Sequence, residues 1–171
     1  FLAQTENAPD DLYLETVDLT EATQGLFEYF EAWVEDRGVS LQLKGRAAPI
    51  QADREMLRRA LSNLLSNAIR YTPRGASITV RLHQDVGATT ISVENPGPKI
   101  PRQALSRIFD RFYRVDPSRQ SKGEGAGLGL VIVKTIVEAH KGRIHAESDD
   151  SLTRFVITIP HTFCNPMFAT K

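Results

Sequence analysis

The sequence predicts a two-layer α/β sandwich, in which a mixed, mainly antiparallel sheet packs on about three helices. Stretches with apolar residues at helical spacing alternate along the chain with strand-like stretches, and two successive strand patterns, SITVRLHQ and ATTISVEN, indicate a hairpin. Because the apolar stripe of a helix and the apolar face of a sheet bury each other, one layer of each is the natural arrangement.

The first half of the chain predicts two helices and three short strands. LYLETVDL indicates a strand, and Asp18 or Thr20 can cap a helix that Gly38 ends. VSLQLKG and PIQA indicate the next two strands. Asp53 can then cap a long helix that runs to about residue 71, where TPRG predicts a turn.

The second half begins with the hairpin and then loses its regular pattern. NPGPKIPRQ is broken by prolines and a glycine, and a short helix is predicted near LSRIFDRFYR. VDPSRQSKGEGAG is polar and rich in helix breakers, so we expect a mobile loop. A helix from about Leu128 to His140 follows, and GRIHAES and TRFVITIP predict the closing strands.

Length and composition exclude several classes of protein. The 171 residues suit one domain, and 21 basic against 21 acidic residues argue against a nonspecific nucleic-acid binder. One cysteine, Cys164, excludes an intrachain disulfide and a cysteine zinc cluster. No apolar run approaches the ~20 residues that span a membrane, and no signal peptide is visible. We therefore expect a soluble, cytoplasmic piece.

The segment GEGAGLGL, residues 123–130, is half glycine and leads directly into the last helix. It contains no Gly-Lys-Ser/Thr of a Walker loop, and every GxGxxG register fails at the sixth position. What remains is a glycine-rich loop before a helix amino terminus, where N–H groups and the helix dipole favour phosphate. The alternative is a flexible loop before a helix, and the segment alone leaves both open.

The helix around RRALSNLLSNAIRYTP carries two asparagines beside its apolar face. At ~100° per residue, Asn63, Asn67 and Arg70 form one arc with Tyr71 beside it. The neighbouring apolar arc consists of Leu57, Leu61, Leu64 and Ala68. Unpaired amides at the border of a core are costly. The two asparagines either bind a ligand, such as Mg²⁺ with its preference for oxygen, or bond the neighbouring backbone.

These segments together resemble the ATP-binding catalytic domain of the sensor histidine kinases. LSNLLSNAIRYT resembles the N box, ENPGPKIP the first glycine box, RIFDRFYRVD the F box and GEGAGLGL the second glycine box. Their order and spacing agree over residues 12–160. Residues 1–11 are then the remnant of a dimerisation helix and linker, and 161–171 a C-terminal tail. The wider match is most similar to heavy-metal sensor kinases of the copper and silver type.

The resemblance implies a Bergerat-type sandwich, as in gyrase, the Hsp90 chaperones and the MutL mismatch-repair proteins. It implies ATP and Mg²⁺ as cofactors and a mobile ATP lid at 115–126. It also implies catalytic roles for four residues. Asn67 would ligate Mg²⁺, Asn63 would support the metal and phosphates, and Arg70 and Arg114 would contact phosphate.

The same resemblance implies the residues that bind the nucleotide. Tyr71 would lie along the adenine or ribose, and Asn95 would accept a hydrogen bond from the adenine amino group. Gly97 and Ile100 would line the base pocket. The phosphates would be wrapped by Gly123, Gly125, Gly127, Leu128 and Gly129.

Two departures from the family pattern change these expectations. The first glycine box usually reads Asp-x-Gly-x-Gly, whereas here Asn95 stands for the aspartate and Lys99 for the second glycine. We expect a stiffer loop and ATP recognition that persists but is weaker. Secondly, no histidine of this chain lies in the sequence context of a phosphoacceptor. We therefore expect an excised catalytic domain that does not phosphorylate itself alone.

Three functions follow as hypotheses. A protein-histidine kinase domain would hold ATP for a histidine of the missing dimerisation helix and thereby serve a response regulator. A gyrase- or Hsp90-like ATPase is the second, but Asn63 stands where those enzymes have a water-activating glutamate, and an amide is no base. A noncatalytic module with a degenerate pocket is the third. Phe112 and Tyr113 either pack against the missing helix or fill the edge of the core.

The resemblance also implies a setting for the domain. It would be the cytoplasmic part of a bacterial inner-membrane sensor with metal-responsive signalling and no nucleic-acid partner. Dimerisation belongs to the missing helices, so we expect this fragment to be mainly monomeric and the full-length protein to be a homodimer.

Overall fold

The computed structural model describes residues 12–115 and 127–161. In chain order the elements are β1 (Leu14–Val17), α1 (Leu19–Arg37), β2 (Ser40–Gly45), β3 (Ile50–Asp53), α2 (Arg54–Tyr71), β4 (Ser77–Gln84), β5 (Ala88–Asn95), α3 (Gly129–Ala139), β6 (Arg143–Ser148) and β7 (Thr153–Pro160). The predicted N-terminal remnant, nearly all of the predicted mobile loop and ATP lid, and all but the first residue of the predicted tail lie outside the described residues.

The strands form one five-stranded sheet and one two-stranded sheet. The large sheet has the order β2-β4-β5-β7-β6, in which only β2 and β4 run parallel. The small sheet pairs β1 with β3 in antiparallel fashion. The predicted hairpin of β4 and β5 is present. Together with the three helices, this arrangement confirms the predicted two-layer sandwich with a mixed, mainly antiparallel sheet.

The core lies between one face of the large sheet and the helices. The predicted apolar arc of α2 is buried, as are the apolar residues of α1 at positions 26 and 30. The sheet contributes Ile78, Val80, Leu82, Ile91, Val93, Phe155, Ile157 and Ile159 to the same core. Burial of this arc places the neighbouring arc of α2, with its two asparagines, at the border of the core. In the part of the chain that the structure describes, no helix is long and apolar enough to cross a membrane.

The predicted helix boundaries have the expected caps. Of the two candidates for the start of α1, Asp18 is the cap, and its carboxylate accepts from the N–H groups of Thr20 and Glu21 at 2.8 and 3.2 Å. Gly38 ends α1 with φ of 63°, a conformation that glycine adopts readily. Asp53 starts α2 and accepts from the N–H of Met56 at 3.0 Å.

His140 connects the end of α3 to the start of α2. Its ring is completely buried, and Nδ1 donates to the carbonyl of Ile136 at 2.8 Å. Its Nε2 accepts from the backbone N–H of Asp53 at 3.0 Å. Both ring nitrogens are therefore satisfied by backbone groups, and the two helices that border the candidate site are joined at the ends distant from it.

The short helix predicted near LSRIFDRFYR is wrong, because residues 102–109 form successive turns. Most of their backbone hydrogen bonds span three residues, as from Arg107 N to Ala104 O at 2.9 Å and from Asp110 N to Arg107 O at 2.9 Å. An α-helix needs a continuous ladder of bonds that span four. Phe112, with φ of 59°, then leaves the right-handed helical region entirely.

Candidate functional site

A cavity of about 580 Å³ lies between α2, the amino terminus of α3, the ends of β5 and β7, and the segment from 97 to 115. The structure brings eleven predicted site residues together around it: Asn63, Asn67, Arg70, Tyr71, Asn95, Gly97, Ile100, Arg114, Gly127, Leu128 and Gly129. The other two, Gly123 and Gly125, lie outside the described residues. The roles that the resemblance implies are taken up under the proposed function.

The wall contributed by α2 contains an amide that lacks a partner. Within the described residues, the Nδ2 atom of Asn63 is buried and has no hydrogen-bond partner. Its neighbour Ser66 donates to the backbone carbonyl of Asn63 at 3.1 Å, which leaves the amide group itself unaffected. Since an unmade hydrogen bond costs about 1–3 kcal/mol for a buried donor, this amide is a group that a bound acceptor would satisfy.

The adjoining wall is the amino terminus of α3. The first helical hydrogen bond runs from Ile132 N to Leu128 O at 3.0 Å, so the N–H groups that precede Ile132 need partners outside the helix. Leu128 makes no side-chain cap, and the first turn contains no acidic residue. Within the described residues this helix start therefore has no side-chain cap, and it presents the positive end of its dipole to the cavity.

The two glycines at the start of α3 serve different purposes. Gly127 has φ of 71°, and a Cβ there would lie 3.2 Å from the backbone of Phe112 and from the carbonyl of Tyr113. Gly127 is therefore required because the backbone of Phe112 and Tyr113 packs against it, and not because a phosphate does. At Gly129 the nearest neighbour of a Cβ would be Asn63 Cγ at 4.0 Å, so this residue stands next to the unpartnered amide and lies open to the cavity.

The charged residues at the cavity are all basic. Arg70, Lys99 and Arg114 line it, and none of its described lining residues is an aspartate or glutamate. A lining whose described charged residues are all basic favours a polyanion, even though Lys99 is paired with Asp150 outside the lining. The same absence means that no described lining residue has the carboxylate that would activate a water molecule.

At the other end of the cavity, Asn95 is buried with 4% of its surface exposed. Its Nδ2 donates to the carbonyl of Pro96 at 2.9 Å, so its side-chain oxygen is the atom left to accept a further bond. The adjoining Gly97 is tightly packed, because a Cβ there would lie 2.8 Å from the carbonyl of Tyr71. The altered first glycine box therefore still forms one wall of the cavity.

Sequence analysis missed several residues of the site. Thr153 lines the cavity and is the partner of Asn95 in the register of β5 and β7. Its hydroxyl lies 2.8 Å from that of Ser148, at the end of β6. Such a pairing joins residues 58 positions apart, and no local pattern reveals it. Lys99, which sequence analysis named only as the replacement of a glycine, lines the cavity and forms an ion pair of 3.0 Å with Asp150 in the turn between β6 and β7.

The turn between β6 and β7 is held by Asp149. Its carboxylate accepts from the Ser151 hydroxyl at 2.6 Å and from the N–H groups of Leu152 and Ser151 at 3.0 and 2.7 Å. These bonds, that of the Ser151 hydroxyl foremost, lower the pKa of Asp149 from 3.8 to about 2. The depressed pKa means that the carboxylate stabilises the fold above pH 4, and that this contribution is lost as the pH falls towards 2.

We therefore expect Asp149→Asn to lower the midpoint of thermal unfolding at pH 7, where the wild-type carboxylate is ionised and accepts all three bonds. The difference between variant and wild type should shrink as the pH falls from about 4 to 2, since the unfolded wild type takes up a proton near 3.8 and the folded wild type only near 2. Thermal unfolding followed by circular dichroism at several pH values measures this. A difference that stays constant over that range would contradict the assignment.

The two aromatic residues of the predicted F box, Phe112 and Tyr113, have different environments in the structure. Tyr113 packs against the core, lines the cavity and lies beneath the Arg107 guanidinium, 4.6 Å from its ring centre. Phe112 is 66% exposed and has φ of 59°. Of the two alternatives for this pair, filling the edge of the core thus applies to Tyr113 and not to Phe112.

Comparison with known proteins agrees with this geometry. Residues 52–162 match the family described as histidine kinase-, DNA gyrase B-, and HSP90-like ATPase. Sensor histidine kinase CusS of Escherichia coli (strain K12) is 52% identical over 160 residues, which are 94% of this chain and 33% of CusS. Probable sensor kinase SilS of Salmonella typhimurium is 46% identical over 166 residues, again 94% of this chain and 33% of the relative.

A solved structure is similar as well. Full-length ShkA in complex with AMPPNP superposes with a TM-score of 0.81 at 26% identity, over 92% of this chain and 33% of ShkA. The chain spans about a third of the length of the curated relatives it matches. It therefore belongs to the histidine kinase-, DNA gyrase B- and HSP90-like ATPase family, as the ATP-binding catalytic domain of a sensor histidine kinase.

Proposed function

We propose that this domain binds Mg-ATP in the cavity and presents the γ-phosphate to a histidine on the dimerisation helix of the same protein, for relay to an aspartate of a response regulator. The carrying observation is a buried amide donor without a partner among the described residues, next to a helix start that lacks a side-chain cap. Asn63 Nδ2 lies beside the start of α3, the lining also contains Arg70 and Arg114, and no carboxylate is among the described lining residues. A triphosphate supplies the acceptors and the charge that this arrangement lacks.

The nucleotide then has one orientation that fits both ends. The phosphates lie at Asn63, Arg70, Arg114 and the start of α3, where the arginines can form paired bonds to phosphate oxygens. The base lies at the far end, where the oxygen of Asn95 accepts from an amino group. Gly97, Ile100 and Tyr71 form the walls of that end.

The lining also fits a magnesium ion that arrives with the nucleotide. The amide oxygens of Asn67 and Asn63 are the side-chain groups suited to it, and no carboxylate is among the described lining residues. Mg²⁺ commonly takes only one or two protein ligands and completes its shell with phosphates and water. Asn67 would hold the ion, whose charge would neutralise the phosphate oxygens.

The cavity favours transfer to a partner side chain over hydrolysis. In the transfer, a bond forms between an imidazole nitrogen and the γ-phosphorus, and the bond from that phosphorus to the β–γ bridging oxygen breaks, so ADP remains. The protein supplies alignment and charge stabilisation for this step. A water molecule would need a base, and the described lining offers none.

The first test is binding of ATP and ADP by calorimetry, with and without Mg²⁺, followed by restoration of the preceding helices and detection of phosphohistidine. We expect magnesium-dependent ATP binding by the isolated domain and phosphohistidine only in the longer protein. Rapid release of phosphate by the isolated domain would favour an ATPase instead. Absence of nucleotide binding by folded protein would favour the noncatalytic module.

Phe112 offers a second test, because its ring is exposed and its backbone lies beside Gly127, at the start of α3. We expect Phe112→Ala to slow formation of phosphohistidine in the longer protein by about tenfold or more, the effect of losing an aromatic anchor at an interface. Affinity for ATP should not change. Tyr29→Ala is the matched control, since Tyr29 is an exposed aromatic residue of α1 outside the cavity lining. Equal effects of the two variants would contradict docking at Phe112.

The setting of the domain is part of the same proposal. The similarity to CusS and SilS supports a metal-responsive sensor whose catalytic domain lies on the cytoplasmic side of a bacterial inner membrane. We expect the fragment to be monomeric and the full-length protein to be a homodimer. Light scattering that shows a tight dimer of the fragment would contradict the first expectation.

A further inference from the structure

Three polar side chains form a row across the end of the sheet beneath the cavity. Asn95, Thr153 and Ser148 stand at the ends of β5, β7 and β6, and the register pairs Asn95 with Thr153 and Thr153 with Ser148. The hydroxyl oxygens of Ser148 and Thr153 are 2.8 Å apart. Thr153 is 5% exposed and Ser148 is half-buried, so the row is held by strand pairing at the edge of the core.

The outer end of this row is attached to the wall of the cavity. The backbone N–H of Ile100 donates to the hydroxyl of Ser148 at 2.9 Å. The wall, residues 96–101, contains three prolines, which have no N–H, so its only backbone donors are those of Gly97, Lys99 and Ile100. The carbonyls of Pro96 and Pro101 accept bonds from Asn95 Nδ2 and Ala104 N, and the bond to Ser148 is the one described bond from the backbone of the wall to the hairpin of β6 and β7.

The turn that carries Ser148 has a fixed shape of its own. Three hydrogen bonds to the Asp149 carboxylate order residues 149–152 independently of the wall. The ion pair of Lys99 with Asp150 is a weaker attachment, because these side chains are 52% and 92% exposed and exposed ion pairs contribute little. The hydroxyl of Ser148 is thus the principal link from an ordered hairpin to the wall.

We propose that Ser148 is a positioning residue for nucleotide binding: its hydroxyl holds Ile100, and with it the wall of residues 96–101, in the place that receives the base. The inference rests on the proposed function. Ser148 acts through Ile100 and need not contact the nucleotide. Its effect is confined to the end of the cavity at Asn95 and does not extend to the phosphate end at Asn63 and α3.

If Ser148 acts only at the base end of the cavity, its loss should affect adenosine and ATP equally, which a general loss of stability would not predict. Removal of the Ser148 hydroxyl weakens binding of adenosine and of ATP by the same factor, because both present the same base to the wall. A substitution at the phosphate end, such as Arg70→Ala, weakens ATP and leaves adenosine unchanged. The ratio of the two affinities therefore tells which end of the cavity a residue serves.

The test compares Ser148→Val with Ser148→Thr, two variants of equal shape that both suit a strand and differ only in the hydroxyl. Dissociation constants are measured for Mg-ATP by calorimetry and for adenosine by competition. We expect Ser148→Val to raise both by about three- to tenfold, the effect of one net hydrogen bond. Ser148→Thr and Asp150→Asn should stay within about twofold of the wild type.

Three results would overturn the inference. Ser148→Val could bind both ligands like the wild type, or Ser148→Val and Ser148→Thr could lose affinity equally. Thirdly, Ser148→Val could weaken ATP binding far more than adenosine binding. These outcomes leave the proposed function standing, since the wild type still binds. A folded wild type that binds neither ligand would remove the proposed function, and the role of Ser148 with it.

Discussion

Replacing Asn67 with alanine should abolish magnesium-dependent binding of ATP and leave the domain folded. Asn67 lies on α2 at the edge of the cavity, one turn after the unpartnered amide of Asn63. It is one of few oxygen ligands that the described lining offers to a magnesium ion. Since even groups that only support metal ligands are worth roughly 10- to 100-fold in affinity, loss of a ligand should cost at least about 100-fold.

Calorimetry with ATP, in Mg²⁺ and in chelator, measures this effect, and thermal unfolding verifies that the variant is folded. Gln42→Ala is the matched control, because it removes a similar amide from an exposed position of β2. We expect the control to bind as the wild type does. Unimpaired magnesium-dependent binding by Asn67→Ala would disprove the role of this residue, even if the cavity still binds the nucleotide.

Replacing His140 with alanine should destabilise the fold by roughly 3–5 kcal/mol, a large part of the 5–15 kcal/mol typical of a domain. The ring is completely buried, so its removal leaves a cavity. It also leaves the N–H of Asp53, which now donates to Nε2 at 3.0 Å, without its acceptor. The start of α2 would lose its attachment to α3.

Urea unfolding followed by circular dichroism measures the loss. His83→Ala is the matched control, because His83 is exposed on β4. We expect this control to change the free energy of unfolding by no more than about 0.5 kcal/mol. Equal stability of the two variants would show that the bonds of His140 to Asp53 and Ile136 do not hold the helices together.

The parts of the fold that sequence analysis predicted are those with local causes. The start of α2 follows from Asp53, its buried face follows from leucines at helical spacing, and the hairpin of β4 and β5 follows from two alternating strands. The gathering of the N box, the first glycine box and the described parts of the F box and the second glycine box around one cavity followed from the resemblance and not from any local pattern.

What could not be predicted depends on contacts between distant segments. The parallel pairing of β2 with β4 and the row that joins Asn95 to Thr153 are set by the packing of the whole sheet. The sequence predicts a helix near LSRIFDRFYR, but residues 102–109 form turns. Helix propensity is a weak local preference that tertiary contacts can override. The requirement for glycine at 127 also became visible only with the backbone of Phe112 beside it.

The one-sided charge of the cavity has a consequence for the rate of association. The whole chain carries no net charge, with 21 basic and 21 acidic residues, yet the charged residues of the described cavity lining are all basic. A cleft of one sign attracts a triphosphate over a distance and accelerates its encounter with the protein. We expect the association rate to fall steeply with ionic strength, because at 0.15 M salt the attraction extends only about 8 Å.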